Sequence, residues 1–323
     1  MKRFTNKMLG VIPQDLGVEN NPLGEIRLAN EARFTAIHFS EPLTTYAIGW
    51  QDPENIRETL DALFPPVEVA RRFEYKAGTD SEAFLSETDD IRAIGSAFKR
   101  VAYKGTSVNE KTHNKGLTIR LDRDEMTEGS EERAVSRLLA RLDRNDLRRG
   151  IALIIAAASN SDKTWDTTAK KDPDYDVLAD LETGGDARGI NTNIVVYGAS
   201  AWTKRLLSLR AQNLAGQANS STLTPAQVAD FLAVDKVMLS KERYQSSASA
   251  KSKILGSYVL MYYAQQNLGK DDPSNVKQFW TPTSSGRSRV YRQEYAKFVE
   301  VTVEHYSNLA VTSTLGVRMF TVS

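Results

Sequence analysis

The pattern of hydrophobic and polar positions divides the chain into segments of different period. Residues 53–64 have apolar positions at helical spacing, and Pro65 and Pro66 would end that helix because proline cannot continue it. From residue 67 onward the period is two, which is typical of a strand with one buried face. The apolar residues on that face are Val67, Val69, Phe73 and Tyr75.

A polar stretch at 77–97 is followed by two more strand-like segments. They lie at 98–104 and at 117–121, where Leu117, Ile119 and Leu121 alternate with polar residues. Long strands separated by a weakly hydrophobic stretch predict a hairpin that projects from the body of the protein. Such a hairpin buries little of itself, so we expect it to lie on another chain.

A long helix is predicted from Ser130 to about Ser159. Ser130 is a candidate N-cap, and Glu131 and Glu132 place negative charge in the first turn, where the helix dipole favours it. An apolar stripe along one face predicts the buried side: Val135, Leu138, Leu142, Leu147, Ile151, Ile154 and Ala158. At 1.5 Å per residue the helix would be roughly 45 Å long, with a predicted bend at Gly150.

Strands and helices alternate in the second half of the chain. Residues 193–196 predict a buried strand, and Ser200 is the candidate N-cap of the helix that follows. A second helix begins at Thr224, which forms a capping box with Gln227. Its predicted buried residues are Val228, Phe231 and Leu232.

The remaining periodic segments predict strands at 237–244 and 253–264, followed by a C-terminal hairpin. In the hairpin, alternating valines precede a predicted turn at 307–310, and a second run of period two follows it. The apolar positions of the two runs are Val299, Val301 and Val303, then Leu315, Val317 and Met319. The sequence therefore predicts an α+β fold.

Composition narrows the function classes. The 323 residues are 41% hydrophobic and 26% charged, which suits one large domain or two modest ones. The net charge is only +1, from 42 basic and 41 acidic residues, whereas a dedicated nucleic-acid binder usually has a clear basic surplus. Cysteine is absent, which excludes disulfides, thiolate metal sites and cysteine nucleophiles.

The sequence contains no strong targeting signal. The first residues carry positive charge without an apolar stretch of signal-peptide length. The longest apolar run, at 151–158, is too short to span a bilayer. We therefore expect a soluble protein without a membrane partner.

Candidate metal-binding motifs are incomplete. The three histidines, His38, His113 and His305, share no ligand spacing. Asp172, Asp174 and Asp176 alternate as in the start of a calcium loop, but the required glycine and the closing glutamate are missing. A helix start with Asp172 as N-cap and Pro173 next is the favoured interpretation.

The glycine- and serine-containing motifs are incomplete as well. Residues 197–202 (YGASAW) resemble a nucleophile elbow around Ser200, but Trp202 replaces the closing glycine. Gly184, Gly185 and Gly189 predict a loop and lack the spacing of a phosphate- or dinucleotide-binding motif. We therefore expect no catalytic residue, no cofactor and no metal.

An arginine stripe recurs along the predicted long helix at spacings of four, four, three and four. Its members are Arg133, Arg137, Arg141, Arg144 and Arg148. One interpretation is a solvated or salt-bridged face, helped by Asp143 and Asp146. The other is non-specific attraction to nucleic acid or to an acidic partner segment.

The order of several segments resembles the major capsid proteins of tailed bacteriophages, which have the Hong Kong 97-type fold. The main resemblance covers 164–208 and includes a Trp-Asp pair, an Asp-Pro helix start, a Thr-Gly turn, an asparagine-bearing strand and an aromatic helix start. The matching residues are Trp165, Asp166, Asp172, Pro173, Thr183, Gly184, Asn193 and Trp202. Similar segments follow in the family's order at 115–125, 224–245 and 252–264.

The resemblance implies a set of domains. An N-terminal arm would occupy residues 1–40, and an extended β-hairpin loop residues 65–122. The peripheral domain would comprise 123–190 and 265–323, with the spine helix at 130–159. The axial domain would comprise 190–265. The arm, the hairpin and the spine would each be buried by neighbouring subunits.

The resemblance also implies a function: a structural subunit that assembles with itself into hexamers and pentamers of a head shell around double-stranded DNA. Scaffolding, portal and head-completion proteins would be its further partners, and an arm of about 40 residues would be too short for a fused scaffolding segment. The protein would be located in the virion after assembly in the host cytoplasm. The arginine stripe would face the genome or a neighbouring subunit.

Two alternatives stay open. A bacterial nanocompartment shell has the same fold but encloses enzymes instead of a genome. A member of a different class, an α/β hydrolase using Ser200, would need a complete elbow and a histidine partner.

Overall fold

The computed structural model describes residues 38–77, 91–92, 94, 96–98, 106–168, 171–212, 221–265, 269–283 and 286–323. Most of the predicted N-terminal arm and most of the predicted strand 98–104 lie outside these residues. The helices are α1 (Glu41–Gly49), α2 (Ile56–Leu63), α3 (Ser130–Ala157), α4 (Pro173–Arg188), α5 (Ala199–Ala211) and α6 (Pro225–Leu232).

The strands form two larger sheets and two small ones. In chain order they are β1 (Pro66–Glu68), β2 (Arg72–Ala77), β3 (Thr106–Lys111), β4 (His113–Asp122), β5 (Ser159–Lys163), β6 (Ile194–Gly198), β7 (Lys236–Ser240), β8 (Arg243–Gln245), β9 (Lys251–Lys253), β10 (Tyr258–Tyr262), β11 (Val276–Trp280), β12 (Ser288–Glu294), β13 (Phe298–Val311) and β14 (Arg318–Val322).

The first large sheet is built around β13, the longest strand. β13 pairs antiparallel with β12, β4 and β11, and β1 adds to β11 in parallel. The predicted alternation in β13 is confirmed, because Val299, Val301 and Val303 are buried in a cluster with Val135 and Leu138 of α3. The long helix therefore lies across this sheet, which we call the β13 sheet.

The second large sheet has the strand order β5-β14-β10-β6-β7 and is buried on both faces. Alternate residues of its central strands enter two different hydrophobic clusters. Val196 and Leu260 belong to a cluster with α2 and the second half of α3, whereas Val195 and Val259 belong to a cluster with α4 and α6. We call it the β10 sheet; the strand predicted at 193–196 is confirmed as β6.

The long helix is confirmed, with a difference at its start. It has 28 residues, which corresponds to about 42 Å. Gly129, in the left-handed region at φ 73°, is the N-cap; Ser130 is the first helical residue, so its predicted capping role is wrong. The helix continues through Gly150, where a Cβ would come within 2.5 Å of the Phe64 ring. Close packing against Phe64 explains the glycine.

The C-terminal hairpin prediction is wrong. The predicted turn at 307–310 lies inside β13, and β14 pairs with β10 and β5 of the other sheet. The predicted strands at 237–244 and 253–264 each contain two strands separated by a break. A short antiparallel pair, β8 with β9, results from these breaks.

Three helix predictions are confirmed and two details are wrong. Helix α2 lies within 53–64, Asp172 caps α4, and Thr224 and Gln227 form the capping box of α6. Phe231, however, is 54% exposed. The predicted loop is wrong at Gly184 and Gly185, which lie in the last turns of α4, and Gly189 is the C-cap of that helix at φ 77°. The absence of a side chain at Gly184 and Gly185 allows the close approach of the 316–318 segment and of Asn191 and Thr192. The predicted Thr183-Gly184 turn belongs to the same helical segment.

The small β2–β3 sheet forms an antiparallel ribbon beside β11. Phe73 and Tyr75 on one face pack against Phe279, with ring centroids 4.5 and 5.3 Å apart. The predicted buried face of Val67, Val69, Phe73 and Tyr75 is confirmed. Within the described ranges, no helix has the length and apolar character needed to cross a membrane.

Candidate functional site: the charged face of the long helix

The arginine stripe projects from the exposed side of α3, and its members have different surroundings. Arg133 folds back onto the helix start, where it donates to the Glu128 carbonyl at 3.0 Å. Arg144 donates to the Glu54 carboxylate at 2.7 Å. The Arg148 guanidinium lies 4.2 Å from the centre of the Tyr244 ring. Arg137 and Arg141 are exposed between them.

The two aspartates expected to neutralise the stripe point the other way. Asp143 and Asp146 are 4% and 1% exposed on the inner side of α3. Asp143 accepts from Arg57 of α2 at 2.6 Å, and Arg57 also donates to Asp61. Asp143 and Asp146 therefore bind Arg57 of α2, Lys115 of β4 and Arg149 of α3, and Arg144 of the stripe pairs with Glu54.

Asp146 is the centre of a buried polar network that joins α3 to the β13 sheet. One carboxylate oxygen accepts from Lys115 at 2.8 Å and from Arg149 at 3.0 Å. The other lies 3.2 Å from both the His305 Nε2 and the Ser307 hydroxyl. Burial by itself would raise the pKa of Asp146, but the hydrogen bonds and charges of His305 and Lys115 outweigh it and hold that pKa well below its usual range.

Asp143 belongs to a second network of charged side chains. Its partner Arg57 bridges to Asp61, and Asp61 accepts from Arg287 at 3.1 Å, close to the start of β12. Burial raises the pKa of Asp143, although the Arg57 charge opposes the increase. Together the two networks fix α2, α3 and the β13 sheet relative to one another, so the inner side of α3 is structural.

A basic groove lies where the C-terminal part of the arginine stripe meets the β8–β9 hairpin. Its volume is about 600 Å³. The residues that line it are Glu54, Arg144, Lys241, Glu242, Arg243, Tyr244, Gln245 and Lys251. Sequence reasoning missed this groove, although a signal was present: residues 241–253 contain four cations around a serine-rich turn.

The surroundings of Ser200 do not form a nucleophile elbow. Ser200 is the second residue of α5, and its hydroxyl accepts from the Lys253 ammonium at 2.7 Å, so the predicted N-cap role is wrong. The backbone amides of Ser200 and Ala201 donate to the Gly256 carbonyl at 3.0 and 3.2 Å. Amides occupied in this way cannot stabilise an oxyanion.

Gly198 allows the start of α5 to come this close to the Gly256 carbonyl. A Cβ on it would lie 2.3 Å from the Gly256 carbonyl oxygen. Trp202 packs edge-on against Tyr197 at 5.2 Å. The glycine, serine and tryptophan of this motif therefore all have structural explanations.

The aspartates at the start of α4 point to separate partners. Asp172 caps the helix by accepting from the Asp174 and Tyr175 amides. Asp174 binds the fully buried Arg205 through two hydrogen bonds of 2.6 and 2.8 Å, and Asp176 accepts from the Trp165 indole at 2.9 Å. The helix-start interpretation is confirmed.

The histidines are dispersed. His305 belongs to the Asp146 network, His113 is an exposed residue at the start of β4, and His38 is half-buried at the start of the described chain. Among the residues that the structure covers, no three His, Asp or Glu side chains are placed to hold a metal ion.

Comparisons with known proteins give matches at the level of structure. No protein-family model and no curated protein sequence matches this chain. A phage-related protein from Bordetella bronchiseptica superimposes with a TM-score of 0.66 at 16% identity, covering 87% of this chain and 96% of that protein.

Two shell structures are also similar. The capsid of the cyanophage P-SCSP1u gives a TM-score of 0.51 at 9% identity, over 81% of this chain and 86% of that one. A virus-like particle from Pyrococcus furiosus gives 0.50 at 9% identity, over 87% and 98%. At such identities the likeness establishes a shared fold, and it extends over nearly the whole length of each relative.

Proposed function

We propose that this chain, which has the Hong Kong 97-type capsid fold predicted from its sequence, is a major capsid protein that builds the head shell of a tailed phage. The observation that carries the proposal is the extent of the structural likeness. It covers 81–87% of this chain and 86–98% of the relatives named above.

The β2–β3 ribbon supports assembly with other copies. Its two strands pair with each other, and one face rests on Phe279. A two-stranded sheet is marginally stable alone, and its outer edges can accept further strands or side chains from a neighbour. We propose that the segment 65–122 is the extended loop: β1 and β4 are its base in the β13 sheet, and the β2–β3 ribbon is the part that lies on the next subunit.

The remaining regions take the roles that the fold implies. We propose residues 1–40 as the N-terminal arm, 123–190 with 265–323 as the peripheral domain, and 190–265 as the axial domain. The subunits would form hexamers and pentamers. Scaffolding, portal and head-completion proteins would be the other partners, and the product would be a virion assembled in the host cytoplasm.

The enclosed content is proposed to be double-stranded DNA. The exposed, cationic side of α3 supports this, because the stripe of arginines lies there while Asp143 and Asp146 of the same helix are buried on its inner side. Arginines on a surface bind phosphate without sequence preference. A nanocompartment shell would instead enclose protein cargo.

The test is electron microscopy of the purified full chain, expressed alone and together with the gene products encoded beside it. We expect closed shells when a separate scaffolding protein is present. A small monomer under every condition would overturn the proposal. Shells that enclose a host enzyme and exclude DNA would favour the nanocompartment.

A further inference from the structure

We infer that the basic groove between α3 and the β8–β9 hairpin binds the phosphodiester backbone of double-stranded DNA. The inference rests on the proposed function only for the choice of DNA as the polyanion. The groove is separate from Arg137 and Arg141, which lie nearer the start of α3.

The groove has an excess of positive charge. Four of the residues that line it are cationic and two are acidic. Both acidic side chains already have partners: Glu54 binds Arg144 at 2.7 Å, and Glu242 accepts from the Ser240 hydroxyl at 2.6 Å. Since the whole chain has a net charge of only +1, this excess is a local feature of the groove.

The free cations are on the hairpin side. Lys241 and Lys251 are exposed, and within the described ranges their ammonium groups have neither a hydrogen bond nor an ion pair. Arg243 is also exposed and donates to the Lys241 carbonyl through one nitrogen, at 3.3 Å. These three side chains can therefore reach an incoming phosphate without breaking an ion pair.

Strand register places the hairpin cations on one face. Gln245 pairs with Lys251, and Arg243 pairs with Lys253. Because paired residues of antiparallel strands project to the same face, Arg243, Gln245 and Lys251 share one face of the hairpin. Lys253 is also on this face, but its ammonium donates to the Ser200 hydroxyl and it does not line the groove. Tyr244 projects to the opposite face, where Arg148 stacks on its ring and holds the hairpin to α3.

The chemistry of the groove favours nucleic acid over an acidic protein segment. Arginine, lysine and glutamine donors are the side chains that contact phosphates in protein–DNA complexes. Protein interfaces, in contrast, are depleted in lysine and are anchored by buried apolar residues. Tyr244, the aromatic side chain of the groove, is covered by Arg148 and offers no such anchor.

The test measures binding of the full-length chain to a short fluorescein-labelled DNA duplex by fluorescence anisotropy over a series of salt concentrations. The groove variant carries Lys241→Gln, Arg243→Gln and Lys251→Gln. The matched control carries Lys236→Gln, Lys270→Gln and Lys297→Gln, which remove the same charge from exposed positions elsewhere.

We expect the groove variant to bind the DNA duplex more weakly than the wild type, and its affinity to depend less steeply on salt concentration. Each lost phosphate contact lowers the slope of log K against log salt by about 0.9, or roughly eight-fold in affinity at about 0.1 M salt. The control variant should bind like the wild type. Equal binding by the two variants would overturn the inference, as would competition by poly-glutamate that matches unlabelled DNA at equal charge.

Electron microscopy of the same preparations separates this inference from the proposed function. If shells assemble but the groove and control variants bind DNA equally, the groove inference fails and the shell proposal stands. If no shells form under any condition but the groove variant alone loses DNA binding, the inference stands and the shell proposal fails.

Discussion

At the scale of single residues, the buried Asp146 network is the most consequential feature. Its carboxylate accepts hydrogen bonds from groups on α3, β4 and β13, so one side chain connects three elements. Removing one member of a buried charged network leaves the others desolvated without compensation. The sequence contains Asp146, Lys115 and His305, but nothing in their spacing indicates that they meet.

Replacing Asp146 with asparagine should destabilise the unassembled subunit at neutral pH by about 3 kcal/mol, since truncating a buried ion pair typically has an effect of about 3–5 kcal/mol. Urea unfolding followed by circular dichroism measures the change. Asp186→Asn, on the exposed side of α4, is the matched control and should change stability by less than about 0.5 kcal/mol.

The depressed pKa of Asp146 predicts that the effect of Asp146→Asn on stability depends on pH. The pKa of Asp146 is depressed in the folded state, so its stabilising contribution is fully present above the unfolded value of about 3.9 and is lost as the pH falls towards the folded pKa. The stability difference between wild type and Asp146→Asn should therefore be constant from neutral pH to about pH 5 and shrink below about pH 4. A difference that grows on acidification contradicts this assignment.

Gly150 gives a second prediction at this scale. In an exposed helix, alanine is more favourable than glycine by about 1 kcal/mol. At position 150 the new methyl group would lie 2.5 Å from the buried Phe64 ring, so Gly150→Ala should destabilise by roughly 1–3 kcal/mol.

Gly49, the last residue of α1, is the control because a Cβ there has no neighbour within 4 Å. Gly49→Ala should be neutral or stabilising in the same denaturation experiment. Combining Gly150→Ala with Phe64→Leu should destabilise by less than the sum of the two changes, because the smaller side chain relieves the contact. Strict additivity would exclude a clash between the two positions.

At the scale of elements, the β2–β3 ribbon packs on β11 mainly through the rings of Phe73 and Tyr75. Phe73→Ala should remove its main aromatic contact with Phe279 and open the ribbon locally while the global melting temperature changes little. Hydrogen exchange measures this as faster exchange at 72–77 and 106–111. Phe231→Ala, which truncates an exposed ring on α6, should leave exchange in the ribbon unchanged. Protection that persists in Phe73→Ala would contradict this description of the ribbon.

Elements with a regular hydrophobic period could be predicted from the sequence. The stripe of α3, the cap of α4 and the alternating valines of β13 are examples. Pairing between strands could not be predicted, because β13 and β14 are neighbours in sequence yet belong to different sheets. Strand β11 was missed because Lys277 and Gln278 look exposed, whereas both are buried and held by distant polar groups.

The arginine stripe and the basic groove could likewise be predicted only in part from the sequence. The arginine stripe was visible from its spacing, since helical periodicity fixes which side chains share a face. The partners of the stripe were not predicted correctly. Asp143 and Asp146 lie one or two positions from the nearest arginines of the stripe, a spacing that puts them on another face of the helix, and both are buried. The basic groove needed the register of β8 and β9 and the stacking of Arg148 on Tyr244, which are tertiary contacts.

At the scale of the whole molecule, the two sides of α3 have different roles. The inner side joins the sheets, whereas we propose that the outer side meets the enclosed genome. Arg137→Glu combined with Arg141→Glu should therefore leave shell assembly intact and lower the amount of packaged DNA several-fold. Nuclease-protected DNA per shell is the readout.

Lys236→Glu combined with Lys297→Glu is the control for this charge reversal, because it changes the net charge equally at exposed positions outside α3. Normal packaging is expected in the control. Loss of assembly in the arginine variant, with assembly retained in the control, would instead assign Arg137 and Arg141 to contacts between subunits.

The strand order of the β10 sheet also determines when, during translation, the sheet can be completed. Strand β5 pairs with β14, which itself lies between β5 and β10, and Arg318 follows Lys163 by 155 positions. At about 5–20 residues per second, a ribosome needs roughly 8–30 s to supply the partner of β5 after that strand has been made. During this interval the edges of β5 and β10 are open to strands of neighbouring nascent chains on the same message. We expect β5 and β10 to be joined through β14 only after translation has reached residue 322.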